Sequence, residues 1–457
     1  MLWGMKRYLS FWRIGDSACA RLRVSTAFVF VVGILKAQTY APPANGDYGG
    51  SGPHSVYVDG FTNPIYPAAN GATLIVSVYH PNATINPSLP SIFVAHGYTS
   101  PIGDSADYSG LLTNLTSWGY NVVFSPYEGG VSASIAKRFD ELTTGFEAAV
   151  NRYGLNTAQV GFVGHSYGAG FLPAVIQHEM MGKGDVFTEG HTWGGASAFM
   201  YSMAPSYAYG GGGQTGVGGS LSIAFPTNLN VIEQVFKDDT SIADPRTAID
   251  IFYCITTPNS QKEFLTVYGD DHGTPAQVAS HFLPNSGNAQ MSTSLQAWAI
   301  FRHVDALAAW TFAGDTTARQ IALSNGAAAE TYVGQWSDGV PVQPMRATDI
   351  PDPADYAPGP YAAGWDGAAN PRGNFALVSG PPTINNVHVQ GGQAILTISG
   401  LIGGHTYIEQ TSATLMPGSW SNAMSFVAAQ SGQSLTTQSL TNGIAGGPAQ
   451  FWRILVP

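Results

Sequence analysis

Apolar residues recur along this chain in two alternating rhythms. Runs of strand length stand at 55–58, 73–79, 91–95, 121–126, 160–163, 198–203, 229–236 and 263–268. Between them the apolar positions switch to helical spacing. Tyr108, Leu111, Leu112, Leu115 and Trp118 form one such face, and Ile135, Phe139, Leu142, Phe146 and Val150 form a second. Further helices are predicted over 243–255 and 295–310. Strands that alternate with helices are joined by crossovers. The pattern therefore predicts an α/β fold, a mainly parallel sheet with helices on both faces.

The rhythm changes after about residue 340. The stretch 349–360 (DIPDPADYAPGP) is too rich in proline for a regular element, and 346–381 reads as a linker. From 382 to 457 only short β-type runs remain, at 387–389, 394–398, 406–408 and 451–456, which predicts a small all-β C-terminal module resembling a sandwich. Its aromatic residues Tyr407, Trp420, Phe426, Phe451 and Trp452 read as core, with the gripping of a polymer or surface as the functional alternative. At the other end, Lys6, Arg7, Arg13, Arg21 and Arg23 precede an apolar run from Val24 to Leu35. That run is too short to span a bilayer, so 1–37 reads as a secretory signal peptide and no stable membrane span is expected. Residues 38–54 form a lead-in, and 55–345 the main domain.

Composition sharpens the picture in two respects. Loss of residues 1–37 removes six of 18 Lys and Arg and one of 29 Asp and Glu, leaving 12 against 28, a net charge of −16. An acidic surface argues against nucleic acid as a partner. The second effect concerns cysteine: Cys19 leaves with the leader and Cys254 stands alone in an apolar helical pattern, where it reads as core. No motif calls for a cofactor, and no metal site is expected.

The candidate chemistry begins at Gly164-His165-Ser166-Tyr167-Gly168. A buried-strand run precedes it and a helical pattern from Ala169 to Met181 follows. A serine exposed on a sharp strand-to-helix turn needs small neighbours, because side chains there collide with backbone. Ser166 is therefore the expected nucleophile. Its hydroxyl needs a base. His272, in Tyr268-Gly269-Asp270-Asp271-His272-Gly273 just beyond the last strand of the sheet, is the expected one, with His281 as substitute. His303 and His165 read as structural. The acid that orients the imidazole is expected in Lys237-Asp238-Asp239-Thr240, at another strand end, with Asp239 preferred to Asp238 and Asp244 behind both. Backbone donors for an oxyanion are expected at Tyr167, which follows the serine, and at Tyr98 in His96-Gly97-Tyr98.

These residues resemble the α/β-hydrolase superfamily across roughly 55–345. The likeness rests on HGYT at 96–99, GHSYG at 164–168, KDDTSIAD at 237–244 and GDDHG at 269–273. Within it the chain is most similar to the dienelactone hydrolase, platelet-activating-factor acetylhydrolase and bacterial cutinase (polyester hydrolase) group. It departs from that group in carrying Tyr167 where many members have Met, and in lacking paired cysteines. The resemblance implies a secreted serine esterase, extracellular or periplasmic, acting through a Ser166 acyl-enzyme. Cap domains of this fold follow the sixth strand. Here that connection is short and glycine-rich, which implies a lidless site, lined by Tyr98, Tyr207 and Tyr209, open to a bulky or polymeric ester. The competing readings are a peptidase of the same fold and a binding protein on an inactive hydrolase scaffold.

Overall fold

A computed structural model describes residues 38–99, 101–129, 133–182, 190–206, 225–286, 293–352 and 355–356, and six strands between 383 and 455. The expected leader, Tyr207, Tyr209, Trp420 and most of the glycine-rich connection after the sixth strand lie outside the described residues, as do the side chains of Cys254 and Tyr407.

Nine strands form the central sheet: β1 (Tyr57–Thr62), β2 (Ile75–His80), β3 (Pro90–Ala95), β4 (Asn121–Phe124), β5 (Asn156–His165), β6 (Ser197–Met203), β7 (Leu229–Phe236), β8 (Lys262–Val267) and β9 (Arg346–Thr348). Their spatial order is β1-β2-β4-β3-β5-β6-β7-β8-β9. The pairs from β4 through β3 and β5 to β8 are parallel. The two at the β1 edge and the one at the β9 edge are antiparallel.

The continuous apolar runs have a direct physical cause. Successive residues of a strand point to opposite faces, and here both faces are covered. Ile92 and Val94 of β3 join one core, with Leu111, Leu112 and Leu115 of α1 (Ser109–Ser117) and Val304 and Leu307 of a later helix. Phe93 and Ala95 join the other, with Phe139, Leu142 and Phe146 of α2 (Ile135–Tyr153) and Phe171 and Val175 of α3 (Tyr167–Met181). Ser134 caps α2 by accepting the Lys137 amide, and Gly154 at φ 63° ends it. The remaining helices are α4 (Pro245–Cys254), α5 (Thr293–Gln296), which continues through a π-helical turn at Ala297–Phe301 into α6 (Arg302–Ala313), then α7 (Thr316–Ala322) and α8 (Ala328–Thr331). No helix among the described residues is long and apolar enough to cross a membrane.

Two segments expected outside the main domain are built into it. The lead-in is anchored by Tyr48, whose hydroxyl donates to Asp315 at 2.7 Å, and by the Gly49 amide, which donates to Asp305 at 3.0 Å. The expected linker begins with β9, the last strand of the sheet, and Tyr356 packs against Phe264 of β8. Three residues paired to a sheet edge are too short a run to register as a strand by pattern.

The C-terminal strands form two antiparallel three-stranded sheets. One is ordered β10 (Thr383–Gln390), β11 (Gln393–Leu401) and β14 (Thr436–Gly443), and the other β13 (Ser421–Val427), β12 (Thr406–Ser412) and β15 (Phe451–Leu455). Leu396 and Ile398 of one sheet share an apolar cluster with Phe426, Trp452 and Ile454 of the other, so Phe426 and Trp452 serve as core.

Candidate active site

Strand β5 ends at His165 and helix α3 begins at Tyr167, leaving Ser166 alone between them with φ 56° and ψ −118°. A non-glycine residue there is strained by roughly 1–3 kcal/mol, a cost the surrounding structure must hold in place. The glycines on either side are required by backbone, not by flexibility. A Cβ on Gly164 would lie 2.7 Å from the Ala169 Cα, and one on Gly168 would lie 2.3 Å from the His96 carbonyl oxygen. Only glycine lets strand, turn and helix approach so closely.

The imidazole that meets this serine is that of His281. Its Nε2 lies 2.8 Å from Ser166 Oγ, and its Nδ1 lies 2.6 Å from Asp239 Oδ2. With Nδ1–H donating to the carboxylate, Nε2 is left to accept the serine proton, the arrangement a general base requires. Serine, histidine and aspartate are all buried. Asp239 is held in turn by the amides of Ile242 and Ala243, at 3.1 and 3.3 Å.

His272 is not at this site. Its imidazole is part-exposed and contacts Asp338, Nε2 to Oδ2 at 2.8 Å, and its amide donates to Asp270 at 2.9 Å. The expectation of His272 as base is corrected by the path of the chain beyond β8. That loop doubles back: Asp270 and Gln277 exchange both backbone hydrogen bonds, at 2.8 and 2.7 Å, so His272 lies at the outer tip and His281 on the returning limb. Asp238 secures the return by donating its amide to the Ala279 carbonyl at 3.0 Å and accepting the Ala279 amide on its carboxylate at 2.9 Å. The adjacent aspartates thus divide the work, Asp239 orienting the imidazole and Asp238 tethering the loop that carries it. A sequence signal for His281 existed: Ser280-His281-Phe282-Leu283 sets the imidazole among apolar residues, whereas His272 is flanked by glycine and aspartate.

The expected oxyanion loop is wired to the same histidine. The Gly97 amide donates to the Tyr108 hydroxyl at 2.7 Å, and that hydroxyl lies 2.7 Å from His165 Nδ1. His165 Nε2 faces the His281 carbonyl at 2.8 Å. A carbonyl only accepts, so Nε2 carries the proton and Nδ1 accepts from Tyr108. Burial, reinforced by nearby His281, holds His165 well below its usual pKa and keeps it neutral for this role. By sequence His165 reads as packing, yet it and Tyr108 link the Gly97 loop to the backbone of His281. With the Gly97 amide engaged, the next amide along is that of Tyr98. Beneath it, His96 donates from Nδ1 to the Gly97 carbonyl at 2.6 Å and accepts the Tyr127 amide on Nε2 at 3.0 Å. Burial lowers its pKa to about 4.

Tyr98 and Tyr167 are joined by their side chains as well. The Arg138 guanidinium of α2 lies 5.2 Å from the Tyr98 ring centroid and 5.3 Å from that of Tyr167, and it donates to the Tyr167 hydroxyl at 3.1 Å. The Tyr167 amide is the first of α3, at the positive pole of the helix dipole, which favours an anion. A cleft of about 510 Å³ opens over Ser166, lined among others by Tyr98, Tyr167, Ile242, Phe282, Asp104 and Asp107. Tyr98 is 46% exposed and stands at that cleft.

A comparison with protein-family models finds no match for this chain, and a search of the curated proteins finds none either.

Proposed function

We propose that this chain is a serine ester hydrolase of the α/β-hydrolase superfamily, exported from the cytoplasm, with Ser166, His281 and Asp239 as its catalytic residues. The observation that carries the reading is the pair of bonds on one imidazole, 2.8 Å to Ser166 Oγ and 2.6 Å to Asp239, set on a turn strained to φ 56°. A strained, buried serine held to a buried imidazole and carboxylate is costly to maintain and has a plain chemical use.

His281 Nε2 accepts the hydroxyl proton as Oγ attacks the ester carbonyl, and Asp239 stabilises the imidazolium that forms. The Tyr98 and Tyr167 amides receive the developing oxyanion. The tetrahedral intermediate collapses, His281 returns the proton to the leaving alcohol, and an acyl group remains on Ser166. Water, activated by the same imidazole, releases the acid. Asp104 and Asp107 face the cleft, and burial beside Asp104 raises the Asp107 pKa. Their negative charge disfavours a second carboxylate on the substrate, so neutral esters are the preferred class, bulky or polymeric ones included.

The test is hydrolysis of a p-nitrophenyl acyl ester series, short to long, by residues 38–457 and by Ser166→Ala. Turnover that vanishes in the variant supports the esterase. Equal inactivity of both proteins on every ester removes it, and peptide substrates become the next to try.

A further inference from the structure

A second cluster of chemically active side chains lies at the opposite end of the nucleophile helix. His178 and Glu179 stand in the last turn of α3, and Glu147 projects from α2. One donor atom from each of the three lies within 4.8 Å of the other two. His178 Nδ1 is 3.5 Å from Glu179 Oε1 and 3.8 Å from Glu147 Oε1. His191 Nε2 approaches the same Glu147 oxygen at 3.1 Å from the solvent side. His178 and Glu179 are wholly buried, while the His191 side chain is 43% exposed.

Three features point to a ligand between them. Among the described residues nothing donates a hydrogen bond to either carboxylate oxygen of Glu179, although the residue is fully buried. A buried carboxylate without compensation is unfavourable by several kcal/mol, and a proton or a cation relieves it. The spacings then discriminate. Separations of 3.5 and 3.8 Å are too long for good hydrogen bonds. Two donors bound tetrahedrally at 2.0–2.1 Å from a common ion stand about 3.3 Å apart, and the three separations straddle that value. Finally, the cluster stands at the C-terminal end of α3, the negative pole of the helix dipole, which favours a cation.

The frame is built to hold such a group. Gly182, at φ 68°, ends α3. The segment carrying His191 is fastened back onto that end: the His191 amide donates to the His178 carbonyl at 2.8 Å, and the Trp193 amide to the Glu179 carbonyl at 2.7 Å. Trp193 in turn packs on Phe93 and Phe162 of the sheet, with ring centroids at 4.8 and 6.3 Å.

We propose that Glu147, His178 and Glu179, with His191 at the rim, bind one divalent transition-metal ion of the zinc class. Mixed imidazole and carboxylate donors suit zinc and its first-row neighbours better than calcium or magnesium. At 1.5 Å per residue along α3, His178 lies roughly 17 Å from the nucleophile turn, so the ion does not touch the ester. Its role is structural: it ties α2, the end of α3 and the chain entering β6 into one unit. The two acids and two histidines come from three separate parts of the sequence, which explains why no metal-binding spacing is visible along the chain.

The experiment uses tag-free residues 38–457, stripped with a chelator and titrated with Zn²⁺ by calorimetry and with Co²⁺ by visible absorption. The expected result is one ion per chain at micromolar affinity or tighter, with Co²⁺ giving the intense visible bands of a tetrahedral site. Adding Zn²⁺ to the stripped protein raises Tm by about 5 °C. His191→Ala, a surface change that leaves the fold intact, weakens binding about tenfold or more, and Glu179→Gln abolishes it. Ester turnover well below Tm is the same with and without the ion. Wild-type protein that binds no stoichiometric Zn²⁺ and keeps its Tm in chelator overturns the proposal, because the cluster is then held by a proton. Binding that survives both Glu179→Gln and His191→Ala also overturns it, by placing the ion elsewhere.

Discussion

Replacing Asp239 with Asn tests the site at the point where one atom decides the outcome. The carboxylate faces two ways: Oδ2 accepts Nδ1–H of His281 at 2.6 Å, and Oδ1 accepts the Ile242 amide at 3.1 Å, with Ala243 a further donor at 3.3 Å. Asparagine has one acceptor for these two directions. If its oxygen keeps the backbone amides, its NH₂ faces His281 and forces the imidazole proton onto Nε2. An imidazole protonated at Nε2 cannot accept from Ser166, and general base catalysis stops. If the oxygen turns to His281, the NH₂ opposes buried backbone donors, at roughly 1–3 kcal/mol for each unmet group. The first arrangement is the cheaper, so kcat should fall by about 10³–10⁴, equivalent to about 4–5.5 kcal/mol of transition-state stabilisation. The assay is p-nitrophenyl ester hydrolysis, with KM followed separately, since binding groups are untouched and KM should move little. His272→Ala, altering a part-exposed imidazole on Asp338, is the control and should stay within about twofold of wild type. An Asp239→Asn enzyme retaining more than a tenth of wild-type kcat would refute the assignment, as would a large loss in the control.

Three further outcomes follow from individual contacts. Tyr108→Phe removes the hydroxyl that serves both the Gly97 amide and His165 Nδ1. It should destabilise by about 2–4 kcal/mol in urea and lower kcat about tenfold or more; unchanged kcat in a folded variant would show that the link does not position His281. Ser166→Gly should be more stable than Ser166→Ala by about 1 kcal/mol, because glycine alone relaxes at φ 56°, and alanine matching it would show the turn to be unstrained. Glu233 is wholly buried on β7, and burial pushes its pKa up to about 8. An acid whose folded pKa lies above its unfolded value loses stability as pH rises between the two. Glu233→Gln should therefore stabilise the protein by on the order of 3 kcal/mol more at pH 8 than at pH 5, measured as the difference from wild type in chemical denaturation. A gain independent of pH would mean that Glu233 is not held protonated.

The alternation of strands and helices was legible along the chain, because residues buried on both faces of a sheet must be apolar without interruption, as in Ile92-Phe93-Val94-Ala95. The strand-to-helix turn at Ser166 was legible too, since Gly164 and Gly168 on either side are forced by backbone approach and so leave a mark in composition. Asp239 was legible for a related reason, standing where a strand of a parallel sheet ends. The histidine that meets Ser166 was decided only in three dimensions. His272 and His281 lie on one loop, and which of them faces Ser166 depends on where that loop turns, which the Asp270–Gln277 pairing and the Asp238–Ala279 tether settle. Neither contact has a signature along the chain: three of the four hydrogen bonds join backbone groups, which carry no residue preference, and the fourth joins the Asp238 carboxylate to an amide that almost any residue supplies. The same holds for Tyr108 with His165 and for Glu147 with His178, Glu179 and His191: their donors and acceptors are far apart in sequence and meet only because a sheet and two helices hold them there.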